Sequence, residues 1–280
     1  MEPIVRTFMG NMLQTAQLLG VSLPILDYTT LNQKLDIQAN TSPDSGVYPR
    51  MQYIAIGNGG HVNRKGADGT DIPDPTQHQT TDASPFKIMP FVLVTPDQEA
   101  GIDVTKYALR RLETWNNTQY VAYYLKRLDL TNVVPRVLLK SVQNGQTIST
   151  TYTPSQSNLN PTPSSLSSTG VNVTTGDYIT VSAMVKFALD ATDVQNLLNV
   201  SSVIHNGDVG YSIISELALV SGVDKIVQVQ GYNGPFNLNE VIASQVVTHI
   251  NEFYYMRSNK NGLDLLIYVG ATEPLYKLSA

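Results

Sequence analysis

The stretch from Asp177 to Leu189 constrains the fold of this chain more than any other. Apolar and polar residues alternate along it, and Met184 alone interrupts the alternation. The apolar set consists of Ile179, Val181, Ala183, Val185, Phe187 and Leu189. Successive side chains of a β-strand point to opposite faces, so the pattern predicts a strand with one buried face. A β-sandwich or barrel core is the simplest source of the apolar layer that such a face needs.

Other alternating runs extend this prediction over most of the chain. Short strands are predicted at 51–56, 88–94 and 263–269, and three hairpins are predicted from 107–114 with 120–130, 135–142 with 146–152, and 213–220 with 225–230. Asn144-Gly145, between two of these runs, is the strongest short-range hairpin signal. The glycines of Gly57-Asn58-Gly59-Gly60 predict a tight turn with positive φ angles. We therefore expect a mainly β fold of sandwich or meander type.

A few short helices are also expected. Residues Thr7–Leu19 carry apolar side chains every three to four positions and are followed by Gly20, which predicts an N-terminal amphipathic helix. Such a helix could dock on a neighbouring molecule or pack on its own domain. An Asp190 or Thr192 cap predicts a second short helix. The pattern of 239–256 is ambiguous, and its stripe of Ile242, Val246, Ile250 and Phe253 favours a helix that decays into strand.

Composition divides the chain into four segments. They are an N-terminal arm at 1–50, a β-rich region at 51–153 with a long loop at 62–86, a Ser/Thr/Pro-rich loop or linker at 154–176, and a β-rich region at 177–280. The last segment either completes the same core or forms a second domain. Long loops inside compact domains are uncommon and are typically functional or ordered by a partner.

The composition favours contact with other proteins. Charged residues make up 15% of the chain, against about a quarter in a typical globular protein. Tyrosine occurs 15 times, and its apolar ring and polar tip suit interfaces, although most tyrosines of a β protein simply lie along strands. The chain has no cysteine, which excludes disulfides and thiolate chemistry.

The first residues and the hydropathy predict where the protein works. No basic segment leads into an apolar core at the N-terminus, so we expect no secretory signal. No run approaches the roughly 18 apolar residues of a membrane helix. We therefore expect a soluble product of the cytoplasm without membrane contact.

One segment is basic although the chain has a net charge of -5. Between residues 106 and 140, two acids accompany seven basic residues, which are Lys106, Arg110, Arg111, Lys126, Arg127, Arg136 and Lys140. Such a region could face nucleic acid or an acidic partner. A solvated strand face is the favoured alternative, because these residues are spread over several strands and lack interleaved aromatics.

The sequence shows no catalytic, cofactor-binding or metal-binding motif. The four histidines, His61, His78, His205 and His249, lack the i, i+4 spacing of a helical metal site. Asp68, Asp71 and Asp74 could offer oxygen ligands, but their spacing is not that of the known calcium loop, so we predict no metal. Glu216 stands out because it lies mid-strand, and we expect it to point to water or to meet a basic residue across strands.

Two motifs resemble a known class of proteins. Tyr53–His61 reads Y-I-A-I-G-N-G-G-H, and Ile213–Asp224 reads I-I-S-E-L-A-L-V-S-G-V-D. A strand that closes in a glycine turn, followed far downstream by the second motif, resembles virion structural proteins of tailed bacteriophages, particularly neck or collar components. The motifs carry no catalytic residues. The resemblance implies a β-rich subunit of a symmetric ring or a multi-protein assembly.

The resulting functional prediction is a neck or collar protein that forms a homo-oligomeric ring at the head-to-tail connector of a phage. Its partners would be other virion proteins, namely the portal or connector, the tail terminator or sheath, and fibres. Non-specific DNA contact by the basic region is a further expectation. The predicted location is the virion, assembled in the host cytoplasm. The alternatives are a baseplate, fibre-attachment or decoration protein and, in another class, a carbohydrate-binding or carbohydrate-active β-sandwich.

Overall fold

The computed structural model describes residues 4–26, 28–37, 42–143, 146–153, 155–156, 178–259 and 261–274. They form a mainly β protein with few helices, as predicted. The three α-helices are α1 (Phe8–Leu19), α2 (Thr30–Leu35) and α3 (Ala191–Ile204). The strands are β1 (Ile4–Arg6), β2 (Arg50–Gly57), β3 (His61–Lys65), β4 (Asp71–Pro75), β5 (Ile88–Met89), β6 (Val92–Val94), β7 (Tyr107–Trp115), β8 (Thr118–Arg127), β9 (Arg136–Gln143), β10 (Gln146–Thr151), β11 (Tyr178–Leu189), β12 (Ile213–Gly231), β13 (Gly234–Tyr255) and β14 (Leu263–Pro274).

The chain divides into two compact units. The first combines residues 1–128 with 188–263, and the second combines 129–187 with 264–280. These boundaries differ from the predicted ones, because β9, β10, β11 and most of β14 pair with one another, whereas composition groups residues that are adjacent along the chain. Most of the predicted linker at 154–176 lies outside the described residues.

The first unit is built on an eight-stranded sheet. Its hydrogen-bonded order is β1-β13-β12-β2-β8-β6, with β5 beside β2 and β7 beside β8. The β7–β8 hairpin turns at Asn116 and Asn117, whose φ angles of 49° and 62° match the predicted turn. Buried side chains such as Tyr53, Leu109 and Val220 form the core together with Leu31 and Leu35. The long central strands therefore supply most of the apolar layer.

The N-terminal helix packs on its own sheet, one of its two expected alternatives. The Thr7 hydroxyl accepts a hydrogen bond from the Gly10 N–H, and Gly20 ends α1 in the left-handed conformation, as the sequence predicted. The Thr7 side chain also donates to the Val246 carbonyl at 2.5 Å. A Cβ on Gly10 would lie 2.3 Å from the Val247 carbonyl oxygen, so a glycine is required where the helix meets β13.

Two predictions about the last third of the chain are wrong. Residues 239–255 belong to the long strand β13, not to an α-helix, and Met256 begins a short 3-10 turn. The predicted hairpin at 221–224 is the interior of β12. The actual turn is Tyr232-Asn233. Three register shifts interrupt the pairing of β12 with β13 between Ile214 and Val223. Each bulge changes which face a side chain occupies, so the apolar residues no longer alternate strictly and resemble a helical stripe.

The predicted loop at 62–86 is only partly irregular. Its first part forms the β3–β4 hairpin, in which Arg64 pairs with Asp74 and Lys65 with Asp71. These pairs account for two of the aspartates that could have offered metal ligands. The remainder, residues 76–87, has no regular secondary structure. We call this stretch the strap.

The second unit contains a four-stranded sheet in the order β10-β9-β11-β14. Strand β11 corresponds to the stretch in which apolar and polar residues alternate up to Leu189. Its predicted apolar face is buried at Val185, Phe187 and Leu189, but Val181 is 41% exposed. The β9–β10 hairpin pairs as predicted, and the Asn144-Gly145 turn between its strands lies outside the described residues.

Candidate functional site

Glu216 is the most unusual side chain of the first unit. It lies in β12, opposite Gly57 of β2 and Asn251 of β13. Its side chain is completely buried and, among the described residues, meets no basic residue on a neighbouring strand, which contradicts the expectation that it points to water or meets a basic residue across strands. A buried carboxylate is stable only if its oxygens accept hydrogen bonds from charged or polar donors. The neighbours of Glu216 therefore decide what it does.

Three backbone N–H groups and one imidazole surround the Glu216 carboxylate. Its Oε2 accepts from the Gly59 and Lys87 N–H groups at 2.7 and 3.1 Å. Its Oε1 accepts from the Phe86 N–H at 2.6 Å and contacts His78 Nε2 at 3.0 Å. The carboxylate thus connects β12 to the glycine turn and to both ends of the strap.

These donors outweigh the effect of burial on the acidity of Glu216. Burial is the largest influence and raises the pKa, but the hydrogen bonds from His78, Lys87, Phe86 and Gly59 together lower it below its ordinary value. Glu216 is therefore a carboxylate at neutral pH. Its negatively charged oxygens accept hydrogen bonds from backbone N–H groups and so fix these segments of the main chain.

His78 is held between two acids and two rings. Its Nδ1 lies 2.9 Å from Asp82 Oδ2, while its Nε2 faces Glu216. Its ring stacks on Phe86 at 3.9 Å and on His249 at 3.7 Å between centroids. Both ring nitrogens lie within hydrogen-bond distance of carboxylate oxygens, so His78 links Glu216 to Asp82.

His249 is the neutral neighbour of His78. Its Nε2 donates to the Asp82 carbonyl at 3.2 Å, and its buried Nδ1 has no partner among the described residues. Burial first, and the adjacent His78 second, lower the pKa of His249 from 6.5 to about 4. The stacked pair therefore carries at most one positive charge at neutral pH.

The glycine turn is shaped by close packing, which corrects the predicted reason for its glycines. A Cβ on Gly60 would lie 2.2 Å from the Ser215 carbonyl oxygen, and one on Gly59 would lie 2.8 Å from the Lys87 nitrogen. Neither residue has a positive φ angle. The Ser215 hydroxyl accepts from the Gly60 N–H at 3.1 Å and contacts His61 Nδ1 at 2.8 Å. Burial lowers the pKa of His61.

Glu216, His78 and Asp82 hold the strap and the glycine turn in place through hydrogen bonds, and we call these three residues the anchor. The hydrogen bonds of Glu216 hold backbone segments and His78 in place, and His78 also contacts Asp82. Within the described ranges, no group of three or more His, Cys, Asp or Glu residues could hold a metal ion. Sequence reasoning singled out Glu216, His61, His78 and His249 separately. It could not predict that Glu216 contacts Gly59, His78 and Lys87, because these residues lie 129 to 157 positions away from Glu216 along the chain.

The basic region is largely neutralised in space. Five of its seven members pair with carboxylates: Lys106 with Asp190, Arg110 with Glu99, Arg111 with Glu240, Lys126 with Asp193, and Arg127 with Asp224. All five acids lie outside residues 106–140, so a charge count over that segment overlooks them. Arg136 and Lys140 have no ion pair within the described part of the chain. Arg136 is exposed and Lys140 is half-buried.

Comparisons with known proteins identify a family without assigning a role. No curated protein and no solved structure matches the chain. Among the described residues, no helix combines the length and the apolar character needed to cross a membrane. A family of unknown function, DUF7208, matches residues 1–280. The chain therefore belongs to the family DUF7208.

Proposed function

We propose that this protein is a structural subunit of a bacteriophage particle, most specifically a neck or collar protein that forms an oligomeric ring at the head-to-tail junction. Its partners in this proposal are copies of itself and other virion proteins, such as the portal, the tail terminator or sheath, and fibres. The protein has no catalytic step in this role. Its work is to keep a rigid β scaffold and its surface loops in one arrangement.

The observation that carries the proposal is that the two motifs resembling phage proteins, Tyr53–His61 and Ile213–Asp224, contact each other in the structure. Gly57 of the first motif pairs with Glu216 of the second, and the Gly59 and Gly60 N–H groups donate to the side chains of Glu216 and Ser215. The two short motifs, distant in sequence, thus form one structural unit. Its polar groups bind main chain, which suits a scaffold better than an enzyme.

The ion pairs support protein partners over nucleic acid. Arg110 and its partner Glu99 are both nearly buried, and the Lys126–Asp193 pair is buried as well. Cations in such pairs cannot also neutralise phosphates. Any DNA contact of the basic region would therefore fall first on Arg136 and Lys140, which have no ion pair within the described residues, and next on Lys106, whose pair with Asp190 is exposed.

The oligomeric mass and the symmetry of the full chain test the proposal. We expect a single species of several subunits in solution and closed rings of one symmetry in electron micrographs. Genes for portal or sheath proteins beside the coding gene would favour the neck over the baseplate. A monodisperse monomer that binds or releases sugar would overturn the proposal in favour of a carbohydrate-active β-sandwich.

DNA binding is tested separately by its dependence on salt. Replacing both Arg136 and Lys140 by Ala should reduce the salt slope of any binding by roughly 0.9 for each phosphate that the variant no longer neutralises. Lys186→Ala is the matched control, because Lys186 is an exposed cation of the same unit that already pairs with Asp264 at 2.7 Å. Binding that ignores salt would contradict a charge-led contact.

A further inference from the structure

The hairpin of β12 and β13 continues beyond the rest of its sheet. Pairing of β12 with β2 ends where Gly222 meets Arg50, whereas pairing with β13 continues to Gly231 opposite Gly234. Residues 224–231 of β12 therefore have a strand on one side and none on the other within the described residues. At about 3.3 Å per residue, this open edge is roughly 26 Å long.

Ladder geometry shows which backbone groups the open edge presents. The turn Tyr232-Asn233 has two residues, so its flanking pair, Gly231 and Gly234, exchanges hydrogen bonds within the hairpin. Alternation along an antiparallel ladder then turns the N–H and C=O groups of Ile226, Gln228 and Gln230 away from β13. The Gln230 carbonyl agrees with this, because it accepts from Arg110 Nη2 at 3.2 Å.

Beyond the charged Asp224 and Lys225 at its start, the edge lacks the features that usually prevent strands from pairing. Natural edge strands are protected by charges, prolines or bulges. Residues 226–231 contain no charged residue and no proline, and no register shift occurs beyond Val223. Ile226 is 69% exposed, and Gln228 is exposed between the half-buried Val227 and Val229. An extended strand is the partner whose chemistry fits such an edge.

We propose that a second copy of this chain pairs with this edge, antiparallel, about a two-fold axis through Gln228. In this register Gln228 faces its own counterpart, Val227 faces Val229, Ile226 faces Gln230, and Lys225 faces Gly231. The valine pairs place β-branched side chains together, and no like charges meet. The Gln230 carbonyl keeps a second lone pair for the new hydrogen bond.

The sequence around Gln228 favours a copy of this chain over an unrelated strand. A two-fold contact requires only that residue i meets residue j and that j meets i, and an axis through the Val-Gln-Val segment fulfils this with a valine against a valine on each side of Gln228. The inference does not rest on the proposed function. A two-fold contact closes on a pair of subunits, whereas a ring needs a separate head-to-tail contact.

A single introduced cysteine tests the register, since the chain has none of its own. Directly opposite residues of an antiparallel pair have Cα atoms about 5.5 Å apart, within the range of a disulfide. Gln228→Cys should therefore give a covalent dimer on oxidation, at least tenfold more than Asn237→Cys. Asn237 lies opposite Gln228 on β13 and is equally exposed, but the two copies of it would be three strand spacings, roughly 14 Å, apart.

Charge substitutions test whether the contact forms in solution without a crosslink. Gln228→Lys or Gln228→Glu places like charges across the axis, and each should weaken self-association by roughly tenfold or more. Mixing the two variants should restore association. Asn237→Lys is the control that adds the same charge to the same hairpin away from the axis, and it should retain the wild-type mass.

The outcomes separate this inference from the proposed function. A wild-type monomer without crosslinking of Gln228→Cys overturns the two-fold contact. A ring whose mass is unchanged by Gln228→Lys overturns the contact and leaves the ring proposal intact. Equal crosslinking of Gln228→Cys and Asn237→Cys would show random collision and would also overturn it. Dimers that disappear in Gln228→Lys and return on mixing with Gln228→Glu establish it.

Discussion

Two buried carboxylates of the first unit are stabilised in different ways. Glu216 is surrounded by three backbone N–H groups and His78, whereas Asp193 at the start of α3 is paired with the Lys126 ammonium group and joined to Asp190 in a capping box. Both side chains are almost completely inaccessible. Their partners nevertheless differ: three main-chain N–H groups and a histidine for Glu216, and a side-chain ammonium with one main-chain N–H for Asp193.

The difference teaches what each acid holds in place. Lys126 also donates to the Ala188 carbonyl at 3.1 Å, so the Asp193 pair joins β8 to the chain just before α3. Those elements have hydrogen bonds of their own. The strap has no regular secondary structure and is attached by individual contacts. They include hydrogen bonds from the Phe8 N–H to the Thr80 carbonyl and from Lys34 Nζ to the Pro85 carbonyl, and Glu216 alone contacts the strap at three points, the Phe86 and Lys87 N–H groups and His78. Loss of Glu216 should therefore be the more damaging change.

The largest expected effect is that of Glu216→Ala. It leaves three partly buried N–H groups and the buried His78 without the acceptor that they share, which should cost about 4 kcal/mol of unfolding free energy. Hydrogen exchange should show that the Gly59, Phe86 and Lys87 amides lose protection first. Glu99→Ala is the control, because Glu99 bonds to the side chains of Arg110 and Tyr123. Equal loss of hydrogen-exchange protection in the strap of both variants would contradict the role of Glu216 in holding the strap.

The next effect is a loss of stability between pH 6.5 and about 4. In this window the unfolded chain protonates His249 while the folded protein keeps it neutral, so stability falls as the pH falls, by about 3 kcal/mol in total. His249→Phe should flatten this part of a denaturation series and retain a ring against His78. His61 and His205, whose pKa values burial also lowers, would account for the remaining slope. If the pH dependence of the unfolding free energy were the same in His249→Phe as in the original protein, folding would not lower the pKa of His249.

The smallest effect is expected for the side-chain pair. Lys126→Met removes the ammonium group but leaves Asp193 its bond from the Asp190 N–H, and it should cost about 2 kcal/mol in a denaturant titration. Arg64→Met breaks the exposed Arg64–Asp74 pair and should leave the midpoint unchanged. A larger loss for Lys126→Met than for Glu216→Ala would reverse the comparison.

Local signals predicted local structure well. The apolar periodicity and Gly20 correctly predicted where α1 begins and ends, and the alternating runs 107–114 and 120–130 correctly predicted a hairpin, since helix ends and hairpins depend on residues a few positions apart. The strand β13 was missed because bulges disturbed its alternation. The anchor was missed for a different reason: a mid-strand acid at 216 was visible, but nothing near it in the sequence pointed to the strap.

The sequence by itself determined the β-rich class, the bounds of α1 and two of the three predicted hairpins, because side-chain periodicity and turn chemistry act over short stretches of chain. Only the tertiary structure decided that Glu216 is buried, that His78 joins it to Asp82, and that most of the basic region is paired with acids. Burial and charge pairing depend on which distant segments meet. Those meetings are set by packing of the whole sheet, and no local pattern records them.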